Sequence, residues 1–326
     1  MSDAAPSRSL RALRNALLVL ASTLLALVAA EALARLGSYG PVFGQLIFVR
    51  GVSSRTVDGV ALWNEKNLRY DPEDIERAAN NPGAFTVVGL GDSIMYGVWQ
   101  TKEDTYLEQA RRVLAQRSQR PVEILNLAVP GYNTMQENIV YKEVEGQIQP
   151  NLVLVHYWVD DVHQYRVVGG YVVDLGDVSD DGRLVVRALP LPAVISDFLL
   201  VHSRLYDLLT QAVVGYRRQT QVSDWTRVSK PLAEIHERVQ RTGGRLVVLA
   251  SADLSGTSAD PTSDLPLLQT FAASRGIEVI DLSQWLRGVD PKQIAIDTCH
   301  FNAAGHRMIG ERLAEYLLQH YLKPSS

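Results

Sequence analysis

The sequence predicts an α/β protein: a three-layer α/β/α sandwich on a parallel sheet of about five strands, preceded by a membrane-spanning helix. Two observations on the main body of the chain carry this. Short runs rich in β-branched residues alternate with stretches of helical pattern. These runs are apolar nearly throughout, without the polar alternation of a half-exposed strand, so both faces of the sheet must be covered. The third observation is at the N-terminus, where a cluster of arginines is followed by an uninterrupted apolar run.

That N-terminal segment comes first in chain order. Arg8, Arg11 and Arg14 precede ALLVLASTLLALVAA at residues 16–30, which is apolar or small throughout and has no polar face. Glu31 and Arg35 follow. Basic residues before such a run mark an export signal or signal anchor, with the basic flank held on the cytoplasmic side. Residues 1–15 are therefore a cytoplasmic N-terminus and 16–34 the anchor, which tethers the chain to a membrane. Residues 16–30 alone span about 22 Å, short of the ~30 Å hydrocarbon core, and extension to Ala34 supplies the rest. Ala30-Glu31-Ala32 and Ala32-Leu33-Ala34 also fit the small-x-small pattern of a cleavage site, so cleavage is the alternative to an uncleaved anchor.

Residues 35–80 read as a connecting segment, with Gly, Pro and scattered aromatics and no sustained period. The remaining 81–322 form the main domain. Its strand-like runs are AFTVVGL at 84–90, VEILNLAV at 122–129, LVLVHYW at 152–158, RLVVLA at 245–250 and IEVID at 277–281. Helical patterns over 103–116 and 134–147 separate the first three. The region 161–225 breaks the rhythm. GGYVVDLGDVSDDGRLVVR at 169–187 reads as a hairpin around the Asp180-Asp181-Gly182 turn, and 195–217 as helix. An insertion after the third strand lies near the strands' carboxyl ends, where open α/β sheets bind ligands. It serves as a lid or substrate wall, or only as packing or a partner surface.

Composition removes several function classes. The net charge of −4, with charges spread evenly, gives no basic field to hold nucleic acid. Cys299 is the single cysteine, so no intrachain disulfide forms, and the histidines show no His-x-x-x-His spacing for a structural metal. A structural zinc site is therefore not expected.

Two loops carry candidate chemistry. Gly91-Asp92-Ser93 directly follows the first strand, where a serine lies among backbone N–H groups at a strand's carboxyl end. The bland reading is a helix N-cap. Asp297-Thr298-Cys299-His300 precedes the last amphipathic helix. A serine hydroxyl needs a base to take its proton, and a histidine held in one tautomer by a carboxylate is the effective base. Asp and His three residues apart supply both if the loop folds back on itself.

Order and context add a resemblance. VVGLGDSIMYG at 87–97, LNLAVPGYNTMQ at 125–136, HYWVDDV at 156–162 and DTCHFNAAGH at 297–306 resemble the four ordered blocks of the SGNH (GDSL-type) hydrolase family. The similarity spans about 84–316, and the anchor with Glu31, Arg35 and the hairpin insertion resembles the family's membrane-anchored bacterial branch. The resemblance implies a flavodoxin-like sheet and a serine ester hydrolase using no metal or organic cofactor. It implies that Ser93 is the nucleophile, His300 its base and Asp297 the group orienting the imidazole. It further implies an oxyanion hole of the Ser93 and Gly131 amides with a third donor from the block at 158–161.

The family's third donor is an asparagine in a Gly-x-Asn-Asp block. This chain reads Trp158-Val159-Asp160-Asp161, so aspartate stands at the donor position. An ionised carboxylate cannot donate a hydrogen bond. Either Asp160 is protonated in an apolar pocket, or Asn133 takes over, or the protein is a non-catalytic carbohydrate-binding or scaffold descendant. Trp158, Tyr132 and Tyr157 either line a sugar cleft or belong to the core. Cys299 and His306 read as packing residues.

The expected function is removal of acyl groups, acetyl in the first instance, from an envelope or extracellular polysaccharide. A polysaccharide O-acyltransferase or a lipid esterase on the same residues is the alternative. The expected location is the bacterial inner membrane, single-pass, with the hydrolase domain in the periplasm or outside. The partners are the ester substrate and the membrane, with no nucleic acid.

Overall fold

The computed structural model describes residues 8–36, 46–47, 54–57, 60–63, 68–162, 165–168, 171–174, 191–220, 225–251, 254 and 264–322. Helix α1 (Arg8–Leu36) precedes a short strand β1 (Leu46–Ile47), a hairpin of β2 (Ser54–Val57) and β3 (Val60–Trp63), and α2 (Pro72–Ala79). The domain then alternates. Strand β4 (Phe85–Leu90) leads to α3 (Ser93–Tyr96) and α4 (Tyr106–Arg117), β5 (Val122–Asn126) to α5 (Thr134–Val144), and β6 (Leu152–Tyr157) to a 3-10 turn at Val159–Val162. Strands β7 (Tyr165–Val168) and β8 (Tyr171–Asp174) are followed by α6 (Ala193–His202), α7 (Arg204–Thr220) and α8 (Thr226–Arg241). Strand β9 (Arg245–Ala250), α9 (Leu265–Arg275), β10 (Glu278–Asp281), α10 (Leu282–Trp285), α11 (Pro291–Ile294) and α12 (Ala303–His320) complete the chain.

The central sheet has five strands in the order β10-β9-β6-β4-β5, and every pairing in it is parallel. The runs read from sequence are its strands. Their apolar continuity has the expected cause. Val87, Leu152, Leu154, Val247 and Leu249 face a core shared with α4 and α12, through side chains such as Leu107, Leu114, Leu313 and Leu317. Their neighbours Val88, Val153, Val155, Leu246 and Val248 face the opposite core, shared with Tyr141 of α5 and with Leu232, Ile235 and Val239 of α8. Successive residues of one strand thus enter different cores, which is the period of two that a doubly covered sheet requires. The order places β4 between β5 and β6, so the chain reverses its direction of travel across the sheet beside β4. Ligands bind at such switch points.

One part differs from the sequence reading. The segment 35–80, read as a connection, contains a hairpin and a helix. Leu62 of β3 is buried against Val129, Tyr132 and Ile139, so this segment packs on the loop after β5. Strand β8 pairs antiparallel with β7, Arg166 opposite Val173, and with β1 on its other edge. The sequence between β7 and β8 is Gly169-Gly170, itself a short-range hairpin signal. The Asp180-Asp181-Gly182 turn lies outside the described residues.

Helices α4 and α12 approach closely because Gly310 has no side chain. A Cβ there would stand 2.5 Å from Gln109 Cβ and 2.6 Å from the Tyr106 carbonyl oxygen. That backbone cannot yield without moving α4, which follows the loop that begins at Ser93. Gly310→Ala should therefore destabilise the domain by about 1–3 kcal/mol, the usual cost of overpacking. Urea denaturation followed by tryptophan fluorescence measures it, and an unchanged midpoint would show that the helices separate freely.

Candidate active site

Ser93 opens α3 immediately beyond the end of β4. Asp92 is the N-cap, and its Oδ1 accepts a hydrogen bond from the Ile94 amide at 2.8 Å. The turn is thus capped by Asp92, which leaves the Ser93 hydroxyl free for other work. The Ser93 Oγ lies 2.7 Å from His300 Nε2, across 207 positions of sequence.

His300 is held by its own loop. Asp297 Oδ1 accepts from the amides of Cys299 at 2.9 Å and His300 at 2.8 Å. Its Oδ2 lies 2.8 Å from His300 Nδ1. The base of the loop is closed by the Ile296 amide donating to the His300 carbonyl at 2.8 Å. A carboxylate at Nδ1 fixes the proton on that nitrogen and leaves Nε2 to accept from the serine. Partial burial works against the charge on Asp297, but the two amides and the imidazole outweigh it and hold the carboxyl below its ordinary range. The structure therefore brings Ser93, His300 and Asp297 together. Asp297, Cys299 and His300 also place three possible metal-ligand atoms within 4.8 Å of one another. Both imidazole nitrogens already have partners within the triad, which accounts for the grouping.

The loop after β5 continues alongside the end of β4. The Leu127 amide donates to the Gly89 carbonyl and the Val129 amide to the Gly91 carbonyl, at 2.8 and 3.0 Å. Gly131 follows at φ 78°, a backbone angle that favours glycine. Among the described residues, the amides of Ser93 and Gly131 donate to no acceptor. Asn133 is the N-cap of α5, its Oδ1 accepting from the Met135 and Gln136 amides. Asp160 lies in the 3-10 turn directly after β6, and its side chain is outside the described residues. Its neighbour Asp161 is buried and accepts from Thr134 Oγ1 at 3.1 Å.

The model of the GDSL-like lipase/acylhydrolase family matches residues 90–308, a stretch that contains all four of these loops. The chain belongs to that family. It is accordingly a carboxylic ester hydrolase by family. Among solved structures, this GDSL-like chain is similar to TesA, at 12% identity over 71% of this chain and 97% of that one, with a TM-score of 0.47. It is also similar to LAE5, an α/β hydrolase from the metagenome of Lake Arreo (16%, 73% and 96%, 0.47), and to Axe2, an acetylxylan esterase from Geobacillus stearothermophilus (15%, 73% and 94%, 0.45). Figures this low carry nothing further to this chain. No curated protein matches the sequence.

Several features of this GDSL-like site were not foreseen in the sequence. Trp99, at φ 62° and 68% exposed, sets its ring edge-on to His300 with centroids 5.2 Å apart. Its loop is fastened by Arg69, whose guanidinium donates to the carbonyls of Tyr96, Gly97 and Gln100 at 2.7–2.8 Å and lies 4.1 Å from the centre of the Tyr96 ring. Arg69 precedes the family-matched region, so no motif points to it. The other aromatics are resolved differently. Tyr132 and Tyr157 are buried and belong to the core, while Trp158 is only half-buried. His306 packs, as expected. It accepts from the Tyr106 amide at 3.2 Å, and burial, aided by the charge of Arg69, lowers its pKa to about 4.

Glu137, on the first turn of α5, is 1% exposed, and among the described residues neither of its carboxylate oxygens has a hydrogen-bond partner. Burial, reinforced by the negative charge of Asp92, raises its pKa well above the ordinary range, so it is neutral. In the unfolded chain it ionises at about pH 4.3. The folded protein then binds the extra proton, and stability falls as pH rises from there toward the raised value. Glu137→Gln removes this loss. Its melting temperature relative to wild type should rise between pH 4 and pH 8, and a difference independent of pH would show that Glu137 is ionised when folded.

Proposed function

We propose that this chain is an exported serine esterase, tethered by α1, that removes short acyl groups from an envelope or extracellular polysaccharide through an acyl-enzyme. The observation that carries the reading is the continuous hydrogen-bonded chain Ser93 Oγ–His300 Nε2 and His300 Nδ1–Asp297 Oδ2. Ser93 attacks the ester carbonyl while His300 takes its proton, and Asp297 holds the imidazole and stabilises the imidazolium. The developing oxyanion lies against the Ser93 and Gly131 amides, each worth about 3 kcal/mol in the transition state. Collapse expels the alcohol, which receives the proton from His300. Water then enters, loses a proton to His300 and releases the acid, restoring Ser93.

Asp160 is assigned as the third donor, in its protonated form. The side of Trp99 exposed beside His300 offers a flat apolar surface suited to a sugar ring, which favours a carbohydrate alcohol. Helix α1 is long and apolar enough to cross a membrane. The basic residues before it favour an N-terminus in the cytoplasm and a hydrolase domain on the far side. Proximity to a bilayer makes a lipid ester the second substrate class.

Hydrolysis of p-nitrophenyl acetate and octanoate by the detergent-solubilised chain tests the reaction. Ser93→Ala should lower kcat by about 10⁴-fold or more. A preference for acetate supports the polysaccharide deacetylase, and a preference for octanoate supports the lipid ester. Equal rates in wild type and folded Ser93→Ala would reject the serine mechanism.

Asp160→Asn tests the third donor separately. An amide donates at every pH, so kcat should be kept or raised and its decline at alkaline pH flattened. Abolished turnover in a folded variant would exclude the donor role.

A further inference from the structure

The far end of α1 is clasped by the insertion. The Glu31 carboxylate accepts hydrogen bonds from Ser203 Oγ at 2.8 Å, from the Arg204 amide at 3.0 Å and from the Leu205 amide at 2.9 Å. Arg35 Nε donates to Glu31 at 2.6 Å, and its Nη2 donates to the His202 carbonyl at 2.7 Å. One acidic side chain of α1 therefore caps α7, and one basic side chain of α1 ends α6. Residues 16–30 before the clasp rise about 22 Å along the helix, and the long side chain of Arg14 can reach back to the headgroups on the other side, so the apolar stretch spans most of the ~30 Å hydrocarbon core. With that stretch in lipid, the clasp stands at the polar boundary, where the carboxylate is satisfied by protein donors.

Helix α6 ends at this same level, and its two faces are unlike those of a helix in water. Ser196 and Leu200 turn inward and are buried, the serine hydroxyl lying 2.7 Å from Tyr206 Oη. The opposite face carries Val194, Ile195 and Phe198, exposed by 82%, 47% and 61%. Leu208 and Leu209 of α7 are exposed as well. A helix whose outer face looks to water carries polar residues there. Elsewhere in the described hydrolase domain, exposed large apolar side chains occur singly, at Leu68, Trp99, Leu267 and Ile296.

We propose that α6 and the start of α7 form a membrane-surface element, with Val194, Ile195 and Phe198 entering the leaflet from which α1 emerges. This rests on the reading of α1 as an anchor. Lipid is the occupant because the apolar face is continuous with α1 through the clasp and begins at the depth where the clasp places the headgroups. The domain is then held by two elements, a spanning helix and an interfacial one, so its orientation to the bilayer is fixed.

The test uses the full-length chain in vesicles of phosphatidylcholine and phosphatidylglycerol. Cys299→Ala leaves no other thiol, and a nitroxide is attached in turn to Phe198→Cys, Val194→Cys, Leu20→Cys and Ser274→Cys. Power saturation with oxygen and with a water-soluble nickel chelate reports depth. Labels at 194 and 198 should be oxygen-accessible and shielded from nickel, shallower than the label at 20, while 274 behaves as in water. Adding Glu31→Ala should raise nickel access at 198 severalfold. If 20 is in hydrocarbon while 194 and 198 resemble 274, the inference fails and the anchor stands. If 20 itself is in water, both fail. Shielding at 198 from both reagents, with dipolar broadening lost on dilution by unlabelled chain, would assign the face to a second copy and overturn the proposal.

Discussion

A loop that must present an imidazole in one orientation has to stop moving before it can do so. In this protein the Asp297 carboxylate supplies that restraint, taking up two backbone amides of its own loop while it binds the ring nitrogen of His300. The bonds to the amides of Cys299 and His300 set the backbone, and the bond to Nδ1 sets the ring, so loop geometry and ring tautomer are governed by one ionised group. The distance to Ser93 follows from this restraint and from the capped turn that begins α3. Helix α12 starts two residues beyond the loop and packs on α4, tying His300 to the layer of helices that flanks Ser93.

The other wall of the site is held by means the family pattern does not include. Arg69 contributes no catalytic group, but it collects three carbonyls that point away from regular structure after α3. A buried or half-buried carbonyl without a donor is costly, and one guanidinium serves three at once, of which Gly97 also accepts from the Gln100 amide at 3.0 Å. The result is that Trp99 sits beside His300 in a left-handed backbone conformation that a bulky residue rarely adopts. Ser93 thus faces a rigid polar loop on one side and an aromatic one on the other.

The parts of this arrangement legible in the sequence are those dictated by local pattern. Runs such as LVLVHY at 152–157 are apolar on alternate residues into two different cores, and nothing but a doubly covered strand makes use of that. Asp297 and His300 were readable because their three-residue spacing suffices for a loop to close on itself. Trp99 and Arg69 were not, because their significance lies in contacts between segments that share no period or motif. Tyr132 and Tyr157 were ambiguous for a related reason, since an aromatic residue in a cleft and one in a core look the same in sequence. The β7–β8 pairing was not read because its Gly-Gly signal stands beside a second turn signal, Asp-Asp-Gly, at similar distance.

The separation of Ser93 from His300 by 207 positions has a temporal side. A ribosome that has finished β4 and α3 has made Ser93, but His300 is added only 207 residues later, and its loop needs α12 to pack against. Until then Ser93 Oγ lacks the imidazole that it meets in the folded chain. On the proposed mechanism, activation of the serine waits until the two segments have met across the finished sheet.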